Sequence, residues 1–454
     1  MRLMACSGMV GYGFTEVGFR RGLEMGVRMI GCDAGSMDPG PYYLGTATPF
    51  VSETATRRDL GLMLQGAREF DVPMIIGSAG GGGSDAQLAW TVNLVEDLAR
   101  QHGLSFKLAI IKAEPDRAYL NRQVSDGRTA PLGPIEELTT DTVDRATRIV
   151  AMMGVEPLQN ALDAGADVII AGRCSDAAIY AALPLMHGHD AALAWHLGKI
   201  IECGAQVIEP RAGQDCIIGT LSDDGFEVEP GHPDKFCTKT RVAAHTLYEN
   251  PSPHELKEPS GVLDSSLCTF TQVDPRTVHV TGSRFRPTEL YTVKLEGVQR
   301  TGFRSIFIAG VRDPVLTAGF ADFAAACHAR TRDQARSLEI DDDAYTVAFR
   351  TYGAGAVMGD REFAALDVAP TELCIIGEVI ADDEATSRAV LAKARYALLH
   401  TDFDGRLCIS GNLAFPFSPS DISVGDVFDF SVWHTLELDD PLEPFPVTYQ
   451  DIVS

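Results

Sequence analysis

The sequence lacks a long apolar run. No stretch approaches the roughly 18 apolar residues that a membrane-spanning helix needs, so we predict no membrane segment. The first residues, MRLMACSGMVGYG, contain one arginine and too short an apolar core for a secretory signal peptide. The ten cysteines include no C-x-x-C pair, which argues against a zinc knuckle and against a disulfide framework. We therefore expect a cytoplasmic protein in a reducing compartment.

Basic residues are also scarce. The chain has 38 Lys and Arg against 63 Asp and Glu, a formal net charge of −25. This charge argues against nucleic acid and anionic membrane surfaces as partners. It does not exclude an anionic small molecule, because one local positive site outweighs a distant, screened field.

Several well-known catalytic and nucleotide-binding motifs are absent. The sequence has no H-E-x-x-H and no G-x-S-x-G, which excludes zincin and α/β-hydrolase interpretations. It has neither the G-x-G-x-x-G dinucleotide spacing nor a G-K-[ST] that would complete a nucleoside-triphosphate loop. No covalent nucleophile or redox motif is evident either.

The pattern that is present predicts an α/β fold. With 454 residues, of which 45% are hydrophobic, the chain is long enough for two or three domains with a large core. In its first half, short apolar strands alternate with helical stretches, which is typical of a parallel sheet covered on both faces. We predict a doubly wound, mainly parallel, Rossmann-like or flavodoxin-like domain of about six strands over residues 1–206, with ATRIVAMMG as one of these strands. Alternating polar and apolar residues then predict an α+β domain over 207–365 and a small α+β lobe over 366–454, in which RLCISGNLAF is predicted to be a strand.

A glycine block lies at the centre of the first half. The apolar run Val72 to Ile76 leads into GSAGGGGSD, and an amphipathic helix follows. Glycine backbone approaches a ligand closely, and the unpaired N–H groups at a helix start attract anions. We interpret this loop as a site for a phosphate or carboxylate, with a plain tight turn as the alternative. The candidate binding residues are Gly80, Gly81, Gly82, Gly83, Ser84 and Asp85.

Two carboxylates follow the second predicted strand. Asp33 lies at or beyond the strand end, and Asp38 lies in a loop restrained by proline and glycine. Such a pair can act as acid and base or as hard ligands for Mg²⁺. Alternatively, Asp38 only forms a β-turn and Asp33 caps a loop.

The stretch ADVIIAGRCSDAAIYAAL contains a second strand, turn and helix of this kind. Arg173 is the natural bidentate partner of a carboxylate or phosphate, and Asp176 flanks the same turn. The alternative is an internal Arg173–Asp176 pair that only holds the turn. Ligands collect at the carboxyl ends of such strands, so we favour a functional role for both. We expect Cys174 to be a buried core residue.

The next helix, LAWHLGKIIECGAQV, carries further candidates. Glu202 lies at an otherwise apolar helix end, which makes it either a buried acid with a raised pKa or an acceptor of N–H groups. His196 and Lys199 share a helix face for which solvent is the expected neighbour. Further along, Lys239 belongs to a basic group with Lys235 and Arg241 that either reaches an anion in the cleft or balances nearby acids.

Five segments together resemble the acyclic terpene utilisation AtuA family. They are IIGSAGGGGSD, DVIIAGRCSDAA, GKIIECGAQV, TKTRVAAHTLYE and NLAFPFSPSDI. The resemblance covers most of the chain and includes the G-R-x-x-D pattern around Arg173 and Asp176. It implies a role in citronellol- or geraniol-type catabolism or in another carboxylate pathway, often beside a small partner protein. The chain differs from many relatives in lacking the glycines of a T-K-H-P-G-T-G-G-like stretch after Thr238.

These observations predict a catabolic enzyme that acts on a small carboxylate or its CoA thioester. Asp33, Asp38, Asp176 and Glu202 are the candidate acids and bases, for proton abstraction beside a carbonyl as in a hydro-lyase or isomerase. The glycine loop, Arg173 and Lys239 are the candidate anion contacts. We assign no metal ligands, although a divalent cation such as Mg²⁺ or Mn²⁺ fits the chemistry. The alternative is a non-catalytic large subunit of a homo- or hetero-oligomer that a small protein partner completes.

Overall fold

The computed structural model describes residues 1–211, 213–250, 252–362, 370–409 and 412–453. The chain divides into two compact units. The first unit comprises Met1–Gln299 and Phe430–Ser454, and the second comprises Arg300–Asp429. Within the ranges just given, none of the helices is long and apolar enough to cross a membrane.

Numbered along the chain, the strands are β1 (Arg2–Ala5), β2 (Ile30–Asp33), β3 (Met74–Gly77), β4 (Phe106–Ile111), β5 (Thr129–Pro131), β6 (Arg148–Met152), β7 (Val168–Ala171), β8 (Ile208–Glu209), β9 (Ile217–Leu221), β10 (Phe226–Pro230), β11 (Phe236–Cys237), β12 (Glu255–Glu258), β13 (Gly261–Asp264), β14 (Thr269–Gln272), β15 (Val278–Thr281), β16 (Arg284–Pro287), β17 (Tyr291–Val311), β18 (Tyr345–Tyr352), β19 (Leu373–Ala381), β20 (Ile422–Leu438) and β21 (Val447–Ile452).

The helices are α1 (Glu16–Glu24), α2 (Tyr42–Thr46), α3 (Glu53–Glu69), α4 (Asp85–His102), α5 (Arg117–Ser125), α6 (Thr140–Arg145), α7 (Glu156–Asp163), α8 (Asp176–Met186), α9 (Ala191–Ile201), α10 (Lys239–Thr246), α11 (Pro314–Ala318), α12 (Phe320–Arg336) and α13 (Glu384–His400). Short 3₁₀ helices occupy Gly204–Val207 and Gly359–Arg361.

The first unit is organised by a sheet of ten strands in the order β14-β15-β10-β9-β1-β2-β3-β7-β4-β21. Its centre, from β1 to β4, is parallel, and antiparallel strands extend both edges. The predicted fold class, a mainly parallel α/β sheet followed by α+β structure, is therefore confirmed. The predicted boundary at residue 206 does not coincide with a limit of this unit, because β9 pairs with β1 and continues the same sheet. The predicted boundary at residue 365 lies outside the described residues.

Alternating side chains place a hydrophobic core on each face of this sheet. Met4 and Ile76 belong to the core beneath α1, α3 and α4. Leu3 and Ile75, their chain neighbours, belong to the core beneath α8 and α9. Each fully buried aliphatic side chain of this size contributes about 1.5–3 kcal/mol to folding. The predicted covering of both faces therefore follows from central strands that are buried at nearly every position.

One predicted strand of the parallel sheet lies elsewhere. The segment ATRIVAMMG forms β6, but its residues 148–152 pair antiparallel with residues 294–298 of β17. The prediction that it continues the parallel sheet is wrong, because local pattern specifies a strand but not its neighbour. The edge beside β4 is instead filled by β21, whose six residues all pair with that strand.

The second unit is a smaller α+β structure. The end of β17 pairs with β19, and β19 pairs with β18. Buried side chains of α12 and α13, including Phe323 and Leu391, share one core with Phe307. The prediction of a strand over RLCISGNLAF is wrong for its described residues, where a single bridge joins Ala414 to Gly310. Leu407 is fully exposed there, so its apolar side chain contributes nothing to a core.

Candidate functional site

The candidate site lies at the carboxyl ends of β2, β3 and β7, where ligands of parallel sheets usually bind. The glycine loop follows β3, and its chain is packed tightly against the end of β7. An ideal Cβ on Gly83 would lie 2.2 Å from the Arg173 backbone nitrogen, and Gly83 has φ +70°. Likewise, a Cβ on Gly35 would lie 1.6 Å from the carbonyl oxygen of Gly81. Close packing therefore leaves no room for a side chain at Gly83 or at Gly35.

Three N–H groups of the glycine loop, those of Gly81, Gly82 and Ser84, have partners within the protein. The Gln87 Oε1 atom accepts from the Gly82 N–H at 3.1 Å and from the Ser84 N–H at 3.3 Å. The Gly81 N–H donates to the Ser78 carbonyl at 3.1 Å. Ser84 is the N-cap of α4 and forms a capping box with Gln87. The side-chain oxygen of Gln87 thus accepts two N–H groups of the loop that we predicted to bind an anion, in which Gly80 has φ +74°.

Asp85 and Arg173 also have partners within the protein. Asp85 begins α4, and its Oδ2 lies 2.6 Å from the Lys112 Nζ. The Arg173 Nε and a terminal nitrogen donate to the two Glu296 oxygens at 2.6 and 3.4 Å. Glu296 is fully buried, and the charges of Arg173 and Lys294 overcome its burial and lower its pKa to about 2. The internal ion pair that we had considered is thus present, but its acid is Glu296 rather than Asp176.

Four carboxyl groups with raised pKa values lie around this strand edge. Asp33 ends β2, Asp176 begins α8, Glu202 caps α9 and Glu258 ends β12. Burial is the main cause in each case, and neighbouring carboxylates add to it for Asp33, Asp176 and Glu258. The pKa of Asp176 rises to about 7 and that of Glu258 to about 8. Side chains of this kind exchange protons near neutral pH.

Buried cations compensate part of this negative charge. The Lys199 Nζ lies 2.9 Å from the Glu202 Oε1 and 3.8 Å from the exposed Glu249. Burial opposes its charge, yet the Glu202 carboxylate raises the pKa of Lys199 above its ordinary value. The expectation that His196 and Lys199 face solvent is wrong: both are buried, because α9 packs between α8, α10 and β9. Cys174 is buried in the core, as predicted.

One group of side chains near Glu202 combines three kinds of metal-binding atom. The Glu202 carboxylate, the Cys203 thiol and the His245 imidazole have ligand atoms within 4.8 Å of one another. Burial and the nearby Lys199 lower the pKa of His245 to about 3, so its ring is neutral. His245 is not among the residues predicted from the sequence, although it lies in the segment TKTRVAAHTLYE, one of the five that resemble the family.

Two predicted residues lie apart from the carboxyl groups. Lys239 is exposed at the first position of α10, six residues before His245, and its backbone N–H donates to Gln272. Asp38 is exposed and lines a cavity of about 530 Å³ whose wall includes Met37, Phe430 and Trp433. The basic group around Lys239 is partly neutralised, since Arg241 pairs with Glu209 at 2.8 Å.

The cavity and the carboxyl groups are connected by side-chain contacts. The Lys294 Nζ lies over the Trp433 ring, 4.6 Å from its centre, and 2.8 Å from the Glu296 Oε1. Glu296 in turn holds Arg173. Burial and then the charges of Asp33 and Asp38 raise the pKa of Tyr12, so both aspartates act on one side chain. A chain of contacts therefore runs from the cavity wall at Trp433 through Lys294 and Glu296 to Arg173.

Replacing Glu258 by Gln should stabilise the protein at pH 8 more than at pH 5. A carboxyl whose pKa is higher when folded stabilises the fold below the unfolded pKa, near 4, and this contribution is lost as pH rises toward about 8. The amide still offers an oxygen to the Ser175 hydroxyl, which donates to Glu258 at 2.7 Å. We expect a difference of up to roughly 3–4 kcal/mol between the two pH values, measured by urea unfolding. The exposed Glu289→Gln variant is the control, and equal effects at both pH values would contradict the prediction.

Comparison with known proteins gives one result. Neither a curated protein nor a solved structure matches the chain. A family model described as acyclic terpene utilisation family protein AtuA matches residues 58–405. The matched range includes the glycine loop, Arg173, Glu202, His245 and Glu296. The chain therefore belongs to the acyclic terpene utilisation AtuA family, a family of catabolic proteins.

Proposed function

We propose that this protein is an enzyme that moves protons beside the carbonyl of a small carboxylate or its CoA thioester. The observation that carries the proposal is the pair Asp176 and Glu258, with pKa values of about 7 and about 8, near the buried cations Arg173 and Lys199. General acids and bases are most effective when their pKa lies near the operating pH. The reaction class is that of a hydro-lyase or an isomerase.

The two carboxyls divide the roles of base and acid. Near pH 7 about half of Asp176 is ionised and can remove a proton from the carbon next to the carbonyl. Glu258 is mostly protonated at that pH and can return a proton to another carbon or to a departing hydroxyl. The positive charge of Lys199 stabilises the negative charge that develops on the carbonyl oxygen. Asp33, whose pKa is also raised by burial, stays a third candidate acid or base.

The cavity beside Asp38 is proposed to hold the hydrocarbon part of the substrate. Its volume of about 530 Å³ and its aromatic wall of Phe430 and Trp433 suit an apolar group. Asp38 and Glu136 at its edge disfavour a phosphate there. A CoA moiety would accordingly extend away from this cavity.

A ligand screen followed by isotope exchange tests this function. Purified full-length protein is first heated with carboxylates, acyl-CoAs and CoA alone, since a ligand of the folded state raises the melting temperature. Compounds that raise it are then incubated with the enzyme in D₂O, and deuterium at the carbon next to the carbonyl is followed by NMR. We expect enzyme-dependent exchange for at least one of these compounds. If compounds bind but none exchanges or reacts, the proposed proton chemistry is wrong.

A second candidate function is a large subunit that needs a protein partner. In the second unit, Val357, Leu407 and Ile409 are 81%, 100% and 92% exposed. Exposed apolar side chains of this kind often belong to an interface. In this case the protein alone would be inactive, and mass measurement in solution together with co-purification from the native source would reveal a stable homo- or hetero-oligomer.

A further inference from the structure

Glu202 and Cys203 are adjacent residues whose backbone is held firmly in place. Glu202 caps α9, and the 3₁₀ helix Gly204–Val207 follows Cys203 directly. The loop after β1 packs against this point so closely that a Cβ on Gly8 would lie 2.9 Å from the Cys203 carbonyl oxygen. A Cβ on Gly204, with φ +54°, would meet the Gly8 nitrogen at 2.8 Å. The backbone that carries the Glu202 and Cys203 side chains is therefore closely packed against the loop after β1.

His245 reaches the same point from α10. It is only 5% exposed, and its ring stacks on Tyr248 with 5.2 Å between ring centres. Its Nε2 atom has no hydrogen-bond partner among the described residues and lies 3.8 Å from the Glu202 Oε1. A buried polar atom without a partner is costly, so one that faces two other ligand atoms points to a missing group.

We propose that Glu202, Cys203 and His245 bind a zinc ion. Zinc bonds of about 2.0–2.3 Å in a tetrahedron place ligand atoms roughly 3.3–3.8 Å apart, close to the separation of Glu202 Oε1 and His245 Nε2. The Cys203 sulfur bonds to the ion as the thiol releases its proton to solvent. Three protein ligands leave a fourth position for water or a ligand oxygen, as in catalytic zinc sites. This inference is independent of the proposed reaction and would make Glu202 a ligand rather than an acid or base.

The donor set distinguishes zinc from the hard cations. Mg²⁺ and Mn²⁺ prefer sites made mainly of oxygen, whereas a thiolate and an imidazole favour zinc. The site therefore differs from the Mg²⁺ or Mn²⁺ site that the sequence had led us to consider. Three different donor types within 4.8 Å also separate this group from an ordinary acidic cluster.

Lys199 is a competitor for the same carboxylate. Its Nζ lies 2.9 Å from the Glu202 Oε1, so a zinc ion that uses this oxygen must displace the ammonium group. Glu249, 3.8 Å from the Nζ, and the ring of Tyr248, with 5.4 Å from its centre to the Nζ, offer the ammonium a second position. Removing the ammonium should therefore strengthen zinc binding, whereas a purely structural Lys199–Glu202 pair would give no such gain.

Zinc binding can be measured without knowing the substrate. The full-length protein is purified, stripped with a chelator and titrated with Zn²⁺ against a chromophoric competitor, and Co²⁺ is used in parallel to detect thiolate absorption. We expect one Zn²⁺ per chain and a thiolate-to-cobalt band. Cys203→Ser and His245→Ala should each weaken binding by at least about 100-fold, since even residues that only orient metal ligands change affinity 10–100-fold. Lys199→Met should bind at least as tightly as the wild type.

Cys268→Ser is the matched control for these variants. Cys268 is also a partly buried thiol beside a histidine, with its sulfur 3.7 Å from the His196 Nδ1, but among the described residues no carboxylate joins that pair as a third ligand. It should leave zinc affinity unchanged. The proposal is overturned if the wild type binds no Zn²⁺, or if it binds equally well after Cys203→Ser. Should Cys203→Ser fail to fold, a Lys199→Met variant that binds Zn²⁺ more weakly than the wild type would overturn it as well.

Discussion

Replacing Asp176 by Asn is expected to slow deuterium exchange into the substrate by about 10²–10⁴-fold, the usual contribution of a general base. The amide keeps the size of the carboxyl but cannot accept the proton. Because Asp176 is partly exposed at the first position of α8, the change leaves the packing of the sheet intact. The rate is measured by NMR in D₂O with any compound that the thermal screen identifies.

The design separates loss of chemistry from loss of binding. The Asp176→Asn variant should still show the ligand-induced rise in melting temperature, since the buried cations Arg173 and Lys199 are unchanged. Asp163→Asn, at the exposed end of α7, removes the same charge from the surface and should exchange at the wild-type rate. If the Asp176→Asn variant catalyses deuterium exchange into the substrate as fast as the wild type, Asp176 is not part of the mechanism.

Replacing Arg173 by Met is expected to destabilise the fold by roughly 3–5 kcal/mol, the usual cost of leaving one member of a buried ion pair without its partner. Glu296 is 0% exposed and would lose two of its hydrogen bonds. Lys294, whose Nζ lies 2.8 Å from the Glu296 Oε1, remains and places the expected loss toward the lower end of that range. Urea unfolding at pH 7 measures the change.

A double-mutant cycle shows whether the loss comes from the ion pair. Glu296→Gln should also destabilise, and the Arg173→Met, Glu296→Gln double variant should be more stable than the sum of the two losses predicts. Additive losses would mean that Arg173 and Glu296 are not coupled in the folded protein. The result also bears on function, because an Arg173 that is needed to neutralise Glu296 is a supporting residue as well as a candidate anion contact.

Local pattern was sufficient for the secondary structure around the glycine loop. The apolar run before the glycines and the amphipathic pattern after them are short-range signals, and they place the carboxyl end of β3 and α4 correctly. The same reasoning put Asp33 and Asp176 at the ends of neighbouring elements. Such features depend on residues a few positions apart, which the sequence displays directly.

The partners of these residues were not visible in the sequence. The acid that pairs with Arg173 is Glu296, 123 residues away, and Ser175 donates to Glu258, 83 residues away. His245 joins Cys203 only because α10 packs on α9 and on the 3₁₀ helix that follows it. Each is a single polar residue in a strand or helix whose own pattern indicates nothing more than secondary structure.

The sequence by itself determined the family, the α/β class and the position of the glycine loop, because these depend on periodicity and on motifs in chain order. The tertiary structure alone decided that Lys199 is buried against Glu202 and that Gln87 accepts hydrogen bonds from the glycine loop. It also decided which distant acids share one site, and their raised pKa values follow from that burial. Burial and charge proximity are properties of the packed chain, since both depend on which faces of distant elements meet.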